Sequence, residues 1–202
     1  MTATDSVATG RRAYNLNIDK PDTFTKMIKA HGTGHSLMHE LAKEGDVLTA
    51  ELMIAEGHMV DQPDENGKRP LHEAAFFGQG DMADLLLACG AEVDAAILPF
   101  GHTALYLAVM EGHHDVAQML LTAGADVHVT DQLTGQSLLH IAATRGDMRM
   151  AGLLISSGIN VLHEDFRGQT VHDYAVRARQ VEMERLLLKV MMHHACYTCI
   201  AL

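Results

Sequence analysis

Apolar and polar residues alternate along this chain in blocks of fixed period. SLMHELAKEGD begins at Ser36, RPLHEAAFFGQ at Arg69, TALYLAVMEGH at Thr103, SLLHIAATRGD at Ser137 and TVHDYAVRARQ at Thr170. Successive blocks start 33, 34, 34 and 33 residues apart. An apolar triplet follows each: LMI at Leu52, LLL at Leu85, MLL at Met119, LLI at Leu153 and LLL at Leu186. Three triplets continue into GAEVD, GADVH and GINVL, from Gly90, Gly124 and Gly158. Every block therefore predicts a pair of short helices, the first carrying the small alanines and the second the triplet.

Local chemistry marks the ends of these helices. Ser36, Thr103, Ser137 and Thr170 are helix N-cap types, and Pro70 fits the first helical position, where its missing N–H costs nothing. Gly45, Gly78, Gly112 and Gly146 are placed to end the first helix, because a left-handed residue is cheap only for glycine. Gly57, Gly90, Gly124 and Gly158 are placed to end the second. Small Ala at 74, 75, 108, 142 and 143 permits close helix packing. DENG from Asp64, LPFG from Leu98, QLTG from Gln132 and DFRG from Asp165 read as turns between blocks.

These blocks resemble the ankyrin repeat, whose signature T-P-L-H-x-A-A-x-x-G-H precedes L-L-L-x-x-G-A-D-V-N and whose period is about 33 residues. The likeness runs from roughly Gly34 to His194. It implies an all-α solenoid of antiparallel helix pairs, about ten short helices, joined by β-hairpin fingers. The expected organisation is a disordered tail over 1–17 and a repeat domain over 18–194. Within that domain lie a capping helix at 22–31, repeats near 34–66, 67–100, 101–134 and 135–167, and a capping repeat at 168–194. A tail follows at 195–202. The last repeat departs from the pattern, with Arg179 in place of Gly and Asp173 in place of His, and its outer helix carries charges at Glu182, Glu184, Arg185 and Lys189. Polar-faced terminal repeats are what a solenoid needs for solubility.

In the ankyrin pattern the two positions between A-A and Gly lie on the concave face and vary freely. Here they hold Lys43 and Glu44, Phe76 and Phe77, Met110 and Glu111, Thr144 and Arg145, Arg177 and Ala178. Finger tips are the other variable surface, and supply Ile97, Leu98, Pro99, Phe100, Leu133, Phe166 and Arg167. The chain has five Phe and no Trp; four of the five map to these surfaces, and Phe24 falls in the N-terminal cap. Apolar groups there mark an interaction site, with aromatics as preferred hot spots. The expected partner-binding set is Phe76, Phe77, Ile97, Leu98, Pro99, Phe100, Met110, Glu111, Leu133, Arg145, Phe166 and Arg167, with Glu65, Lys68 and Glu111 as a polar rim. The competing reading folds Phe76 or Phe77 back between helices as core.

Composition narrows the class of partner. With 15 basic and 26 acidic residues the formal charge is −11, the wrong sign for a nucleic-acid binder, and it suggests a partner with a basic surface. No apolar run approaches a membrane span, and the N-terminus has no signal-peptide core. Three Cys (Cys89, Cys196, Cys199) are too few for a disulfide framework and suit a reducing, cytoplasmic setting.

Fourteen His invite a metal reading, notably His31, His35 and His39. Gly32 and Gly34 argue against one helical ligating face there. His39, His72 and His140 take the T-P-L-H position, where the resemblance implies a hydrogen bond to the hairpin-to-helix turn; Tyr106 and Asp173 replace them in two repeats. At the C-terminus, His193, His194, Cys196 and Cys199 could hold Zn²⁺. Cys199-Ile200-Ala201-Leu202 also fits a prenylation signal, with Cys196 as a palmitoylation candidate. No phosphate loop, nucleophile elbow or His-Glu-x-x-His is present. The expected function is protein–protein interaction by a monomeric scaffold, inhibitor or targeting adaptor, not an enzyme, with no cofactor or metal. The alternatives are an adaptor or effector tethered to membranes by prenylated Cys199, and a metal-binding or redox protein using the C-terminal His and Cys.

Overall fold

The computed structural model describes the backbone of residues 34–200 and the side chains of residues 37–192. The segments expected as a disordered tail and as a capping helix over 22–31, Phe24 included, lie outside these residues. Ten helices are present among them: α1 Gly34–Glu44, α2 Val47–Ala55, α3 Pro70–Phe77, α4 Gly80–Ala88, α5 Ala104–Glu111, α6 His114–Thr122, α7 Leu138–Arg145, α8 Met148–Ser156, α9 Val171–Arg177 and α10 Val181–Ile200. They form five pairs. The inner helices α1, α3, α5, α7 and α9 stack in chain order, and α2, α4, α6 and α8 stack behind them. Packing is denser along the inner row than along the outer one.

The period of the sequence becomes a period of burial. Ala42, Ala74, Ala75, Ala108, Ala143 and Ala175 are fully buried on the inner helices. With no side chain beyond Cβ they let neighbouring helices approach. In the outer row the middle residue of every triplet, Met53, Leu86, Leu120, Leu154 and Leu187, is fully buried, while most of its triplet neighbours are half-buried. Each buried Leu or Met contributes about 1.5–3 kcal/mol from apolar burial.

Helix ends follow the expected chemistry with one exception. Thr103 Oγ1 accepts from the Tyr106 N–H, and Thr170 Oγ1 from the Asp173 N–H; Ser137 caps α7 and Pro70 opens α3. Ser36, however, lies inside α1, which begins two residues earlier at Gly34. A glycine can supply an N-terminal residue as readily as it breaks an interior, so Gly34 does not break the helix, and His35 and His39 share it.

Two further departures concern the connections and the C-terminus. The fingers carry no β-ladder among the described residues. Each of three is closed by a single antiparallel bridge, Ile97 with His102, Thr130 with Ser137, and Glu164 with Thr170. At the other end, α10 runs unbroken to Ile200, through six of the eight residues expected as a separate tail. No Gly or Pro lies between Val181 and Ile200 to stop it.

Candidate partner-binding surface

Ala74 and Ala75 turn into the inner row, so the next two residues of α3, its last, turn out of it. Phe76 is half-buried and Phe77 is exposed. Their ring centroids are 5.0 Å apart and nearly perpendicular, at 75°, the edge-to-face arrangement that aromatic quadrupoles favour. Lys68 Nζ stands 5.3 Å from the Phe76 centroid and Lys43 Nζ 5.3 Å from that of Phe77. The pair is therefore rim and surface, not a core plug. Met110, at the Phe76 position of the next repeat, is half-buried, and Glu111 beside it is exposed.

The finger tips continue the apolar surface. Leu98 is 70% exposed, Phe100 40%, Leu133 60% and Phe166 72%, against 40% for Phe77. Pro99 and Arg167 are exposed and Ile97 is half-buried. These tips are fixed, because adjacent fingers are joined backbone to backbone: the Gln132 N–H donates to Phe100 O at 2.9 Å, and the Phe166 N–H to Thr134 O at 3.0 Å. Asp131 Oδ1 holds its own tip by accepting from the Leu133 and Thr134 amides. Asp165 Oδ1 does the same with Arg167 and Gln169.

Beneath the Phe100 tip lies an aromatic stack that the pattern did not single out. Phe100 stacks on His102 at 5.3 Å, and His102 on Tyr106 at 4.0 Å and 8°. His102 Nε2–H donates to Asp131 Oδ2 at 2.8 Å, tying this finger to the next. Burial works to raise the Asp131 carboxyl, but hydrogen bonds from His102, Thr134 and Leu133 outweigh it and hold the group below its ordinary value. Burial, with Asp131 nearby, pushes the Tyr106 hydroxyl up to about 12.

Arg145 is exposed, as expected, yet its guanidinium is already engaged. Nη1 donates to Met110 O and Nη2 to Glu111 O at 3.3 Å, closing the C-terminus of α5 with a cation where the helix dipole favours one. Gln79 and His113 serve the two preceding inner helices likewise, through Nε2 to Lys43 O and Nε2–H to Phe76 O, both at 2.9 Å. Polar residues immediately before or after a helix-ending Gly were the available signal.

The family model for ankyrin repeats matches three overlapping stretches, residues 13–97, 38–131 and 105–198. The chain belongs to the ankyrin repeat family. Among curated relatives, protein phosphatase 1 regulatory subunit 27 of Mus musculus is 36% identical over 66 residues, covering 33% of this chain and 43% of the relative. Ankyrin repeat and SOCS box protein 2 of Mus musculus is 42% identical over 67 residues, covering 33% of this chain and 10% of the relative. Alpha-latrotoxin-Lhe1a of Latrodectus hesperus is 30% identical over 77 residues, covering 37% of this chain and 5% of the relative. The matches thus span less than half the length of each of these relatives.

The ankyrin histidines bind the stack. His72 Nδ1 accepts from the Arg69 N–H at 3.0 Å, and its Nε2–H donates to Ala95 O of the following finger at 2.9 Å. His140 pairs in the same way with Ser137 and with Gln169 O, and His39 Nε2–H donates to Lys68 O at 2.8 Å. Burial pushes the imidazoles of His72 and His140 down, which keeps them neutral and Nδ1 free to accept. Asp173 replaces the His in the last repeat and bonds only to Thr170. Among the described residues no three His, Cys, Asp or Glu are grouped to hold a metal ion, and no helix is long and apolar enough to cross a membrane. The side chains of His193, His194, Cys196 and Cys199 lie outside the described residues.

Proposed function

We propose that this ankyrin stack binds a partner protein, as a scaffold, inhibitor or targeting adaptor in the cytoplasm, acting as a monomer and without catalysis. The partner lies across the second and third repeats on Phe76, Phe77, Pro99, Phe100 and Met110. Ile97, Leu98, Glu111, Leu133, Arg145, Phe166 and Arg167 extend the contact. One observation carries this reading: exposed apolar groups stand at the end of α3 and on three successive finger tips. Each sits on backbone already fixed by hydrogen bonds. A pre-ordered apolar surface loses little entropy on binding. That a relative bears the name of a phosphatase regulatory subunit is in keeping with a regulatory binding role; the short match does not carry its partner over.

Affinity capture from cells expressing the protein, run in parallel with Phe77→Ala, tests the proposal. Truncating a central aromatic should weaken a captured partner by about 2 kcal/mol or more, roughly thirty-fold. Because Phe77 is exposed, its denaturation midpoint should stay close to that of the wild type. Equal binding by wild type and variant would overturn the proposed surface.

A further inference from the structure

The formal charge of −11 is unevenly distributed. Residues 34–134 contain three basic residues, Lys43, Lys68 and Arg69, against seventeen acidic ones; residues 135–202 contain seven basic and six acidic. Two of the three scarce cations of the first segment, Lys43 and Lys68, stand over the two Phe rings. The third, Arg69, is paired with Asp61 and with Glu92 at 3.1 Å. The acids of the same segment are spread over the outer helices and the turns behind them, with Asp81, Glu92, Asp94, Asp115 and Asp126 exposed there.

Some of the acids on the inner side are turned into the protein. Asp64, Asp131 and Asp165 accept from the amides of their own fingers. Glu73 is paired with Lys68 at 2.8 Å, and Asp173 is held by Thr170. Glu40, Glu44, Glu65 and Glu111 are exposed, as is Asp173 itself. Farther along, Arg145, Arg167 and Arg177 are all exposed, at the ends of α7 and α9 and beside the Phe166 tip, and Arg177 stands 5.6 Å over Tyr174. The binding side thus mixes these exposed acids with the cations over its rings and the exposed arginines, while the back of the first segment is acidic.

We propose that the segment docking on this face is itself acidic: apolar anchors seat on Phe77 and the finger tips, and carboxylates lie over Arg167, Arg177 and the ring-bound Lys43. This rests on the binding surface proposed above, and reverses the sign that the whole-chain charge suggests. An apolar group placed on Phe77 strips water from the Lys43 ammonium over its ring, whereas Lys68 already has Glu73 as its partner. A desolvated cation is costly unless an opposite charge comes with the ligand, so partner carboxylates complete the site and reject basic competitors.

The test pans a phage-displayed random linear peptide library on the full chain. Three proteins are compared: wild type, the Phe77→Ala/Phe166→Ala double variant and the Arg167→Glu/Arg177→Glu double variant. The expected pool on wild type has net negative charge and at least two apolar anchors. Recovery of that pool should fall by about tenfold, equivalent to about 1.4 kcal/mol, on the Phe variant. On the Arg variant the selected charge should shift toward neutral or basic while the anchors persist. A pool that depends on the Phe residues but is basic or uncharged on wild type overturns the inference and leaves the surface standing. A pool unaffected by the Phe variant, or no enrichment, overturns both.

Discussion

Inner repeats and the last repeat are built on one template but solve different problems, and the difference shows which residues serve a neighbour. In the middle of the stack, Gly78 ends α3 at φ 72°, and the His113 side chain of the next repeat lies across it. A Cβ added at Gly78 would fall 2.5 Å from His113 Nδ1. At the corresponding place in the last repeat, Arg179 holds φ 58° with a full side chain. No described repeat follows to cover it. Likewise His72 reaches forward to Ala95 O, whereas Asp173 bonds only backward to Thr170. The left-handed turn belongs to the helix pair itself; the glycine and the histidine belong to the junction with the next repeat.

The largest effect expected from this contrast is in the core. Leu120 and Leu187 are equivalent and both fully buried, but Leu120 is enclosed on both sides while Leu187 is in the last pair. A cavity at 187 can partly collapse. Within the roughly 2–5 kcal/mol range for Leu→Ala, Leu120→Ala should cost about 4 kcal/mol and Leu187→Ala about 2, read from urea denaturation. Equal losses would show that the last repeat is as firmly enclosed as the third.

Next in size is Gly78→Ala. The left-handed conformation costs an Ala about 1–2 kcal/mol, and here the new methyl also displaces the His113 ring from its bond to Phe76 O. The expected loss is about 2 kcal/mol or slightly more, in the same denaturation assay. A neutral result would mean that the His113 contact holds nothing.

These contrasts also explain what the sequence could reveal. Periodicity exposed the helix pairs because the buried middle of each triplet and the alanines of the inner row are set by local spacing. Helix-ending glycines were legible for the same reason. Less was legible where a side chain chooses a partner about 30 residues away. Arg145 reads as a free surface cation, but lies within reach of the α5 carbonyls only once the repeats stack. His102 reads as an ordinary finger residue, yet it joins Phe100, Tyr106 and Asp131. The start of α1 at Gly34 and the run of α10 past residue 195 were missed because capping and breaking signals fix ends only loosely.

Acid should separate the two regions by a smaller margin. His72 and His140 have native pKa values lowered from 6.5, burial being the main cause. In the window between the native values and 6.5 the unfolded chain binds more protons, so stability rises with pH there. The stability from neutral His72 and His140 is therefore full above 6.5 and is lost progressively as pH falls toward their native values. Asp173 in the last repeat has a carboxyl lowered below 3.8, with the Thr170 hydrogen bonds as the main cause. Its contribution is present above 3.8 and is lost only as pH drops through its lower native value. Amide exchange measured by NMR at pH 7 and pH 5 should show protection falling at the His72 and His140 junctions while the Thr170–Asp173 cap stays unchanged. Uniform loss of protection along the chain would contradict this separation.

The smallest expected change runs in the opposite direction. Arg179 is the one described non-glycine residue at positive φ, and a left-handed arginine carries strain of about 1–2 kcal/mol that glycine does not. Glycine also loses more backbone entropy on folding, which offsets part of that gain. No side chain of a following described repeat waits to fill the space, so Arg179→Gly recovers strain without creating or removing a junction. The net result should be a gain of about 0.5–1 kcal/mol, visible as a higher denaturation midpoint. Arg179→Ala should do less well, since alanine keeps the left-handed strain and loses the charge that suits a helix C-terminus. If Arg179→Gly were instead destabilising, the arginine side chain would have to be holding contacts worth more than the strain, and the left-handed turn at 179 would be part of a packed junction like those at Gly78 and Gly112.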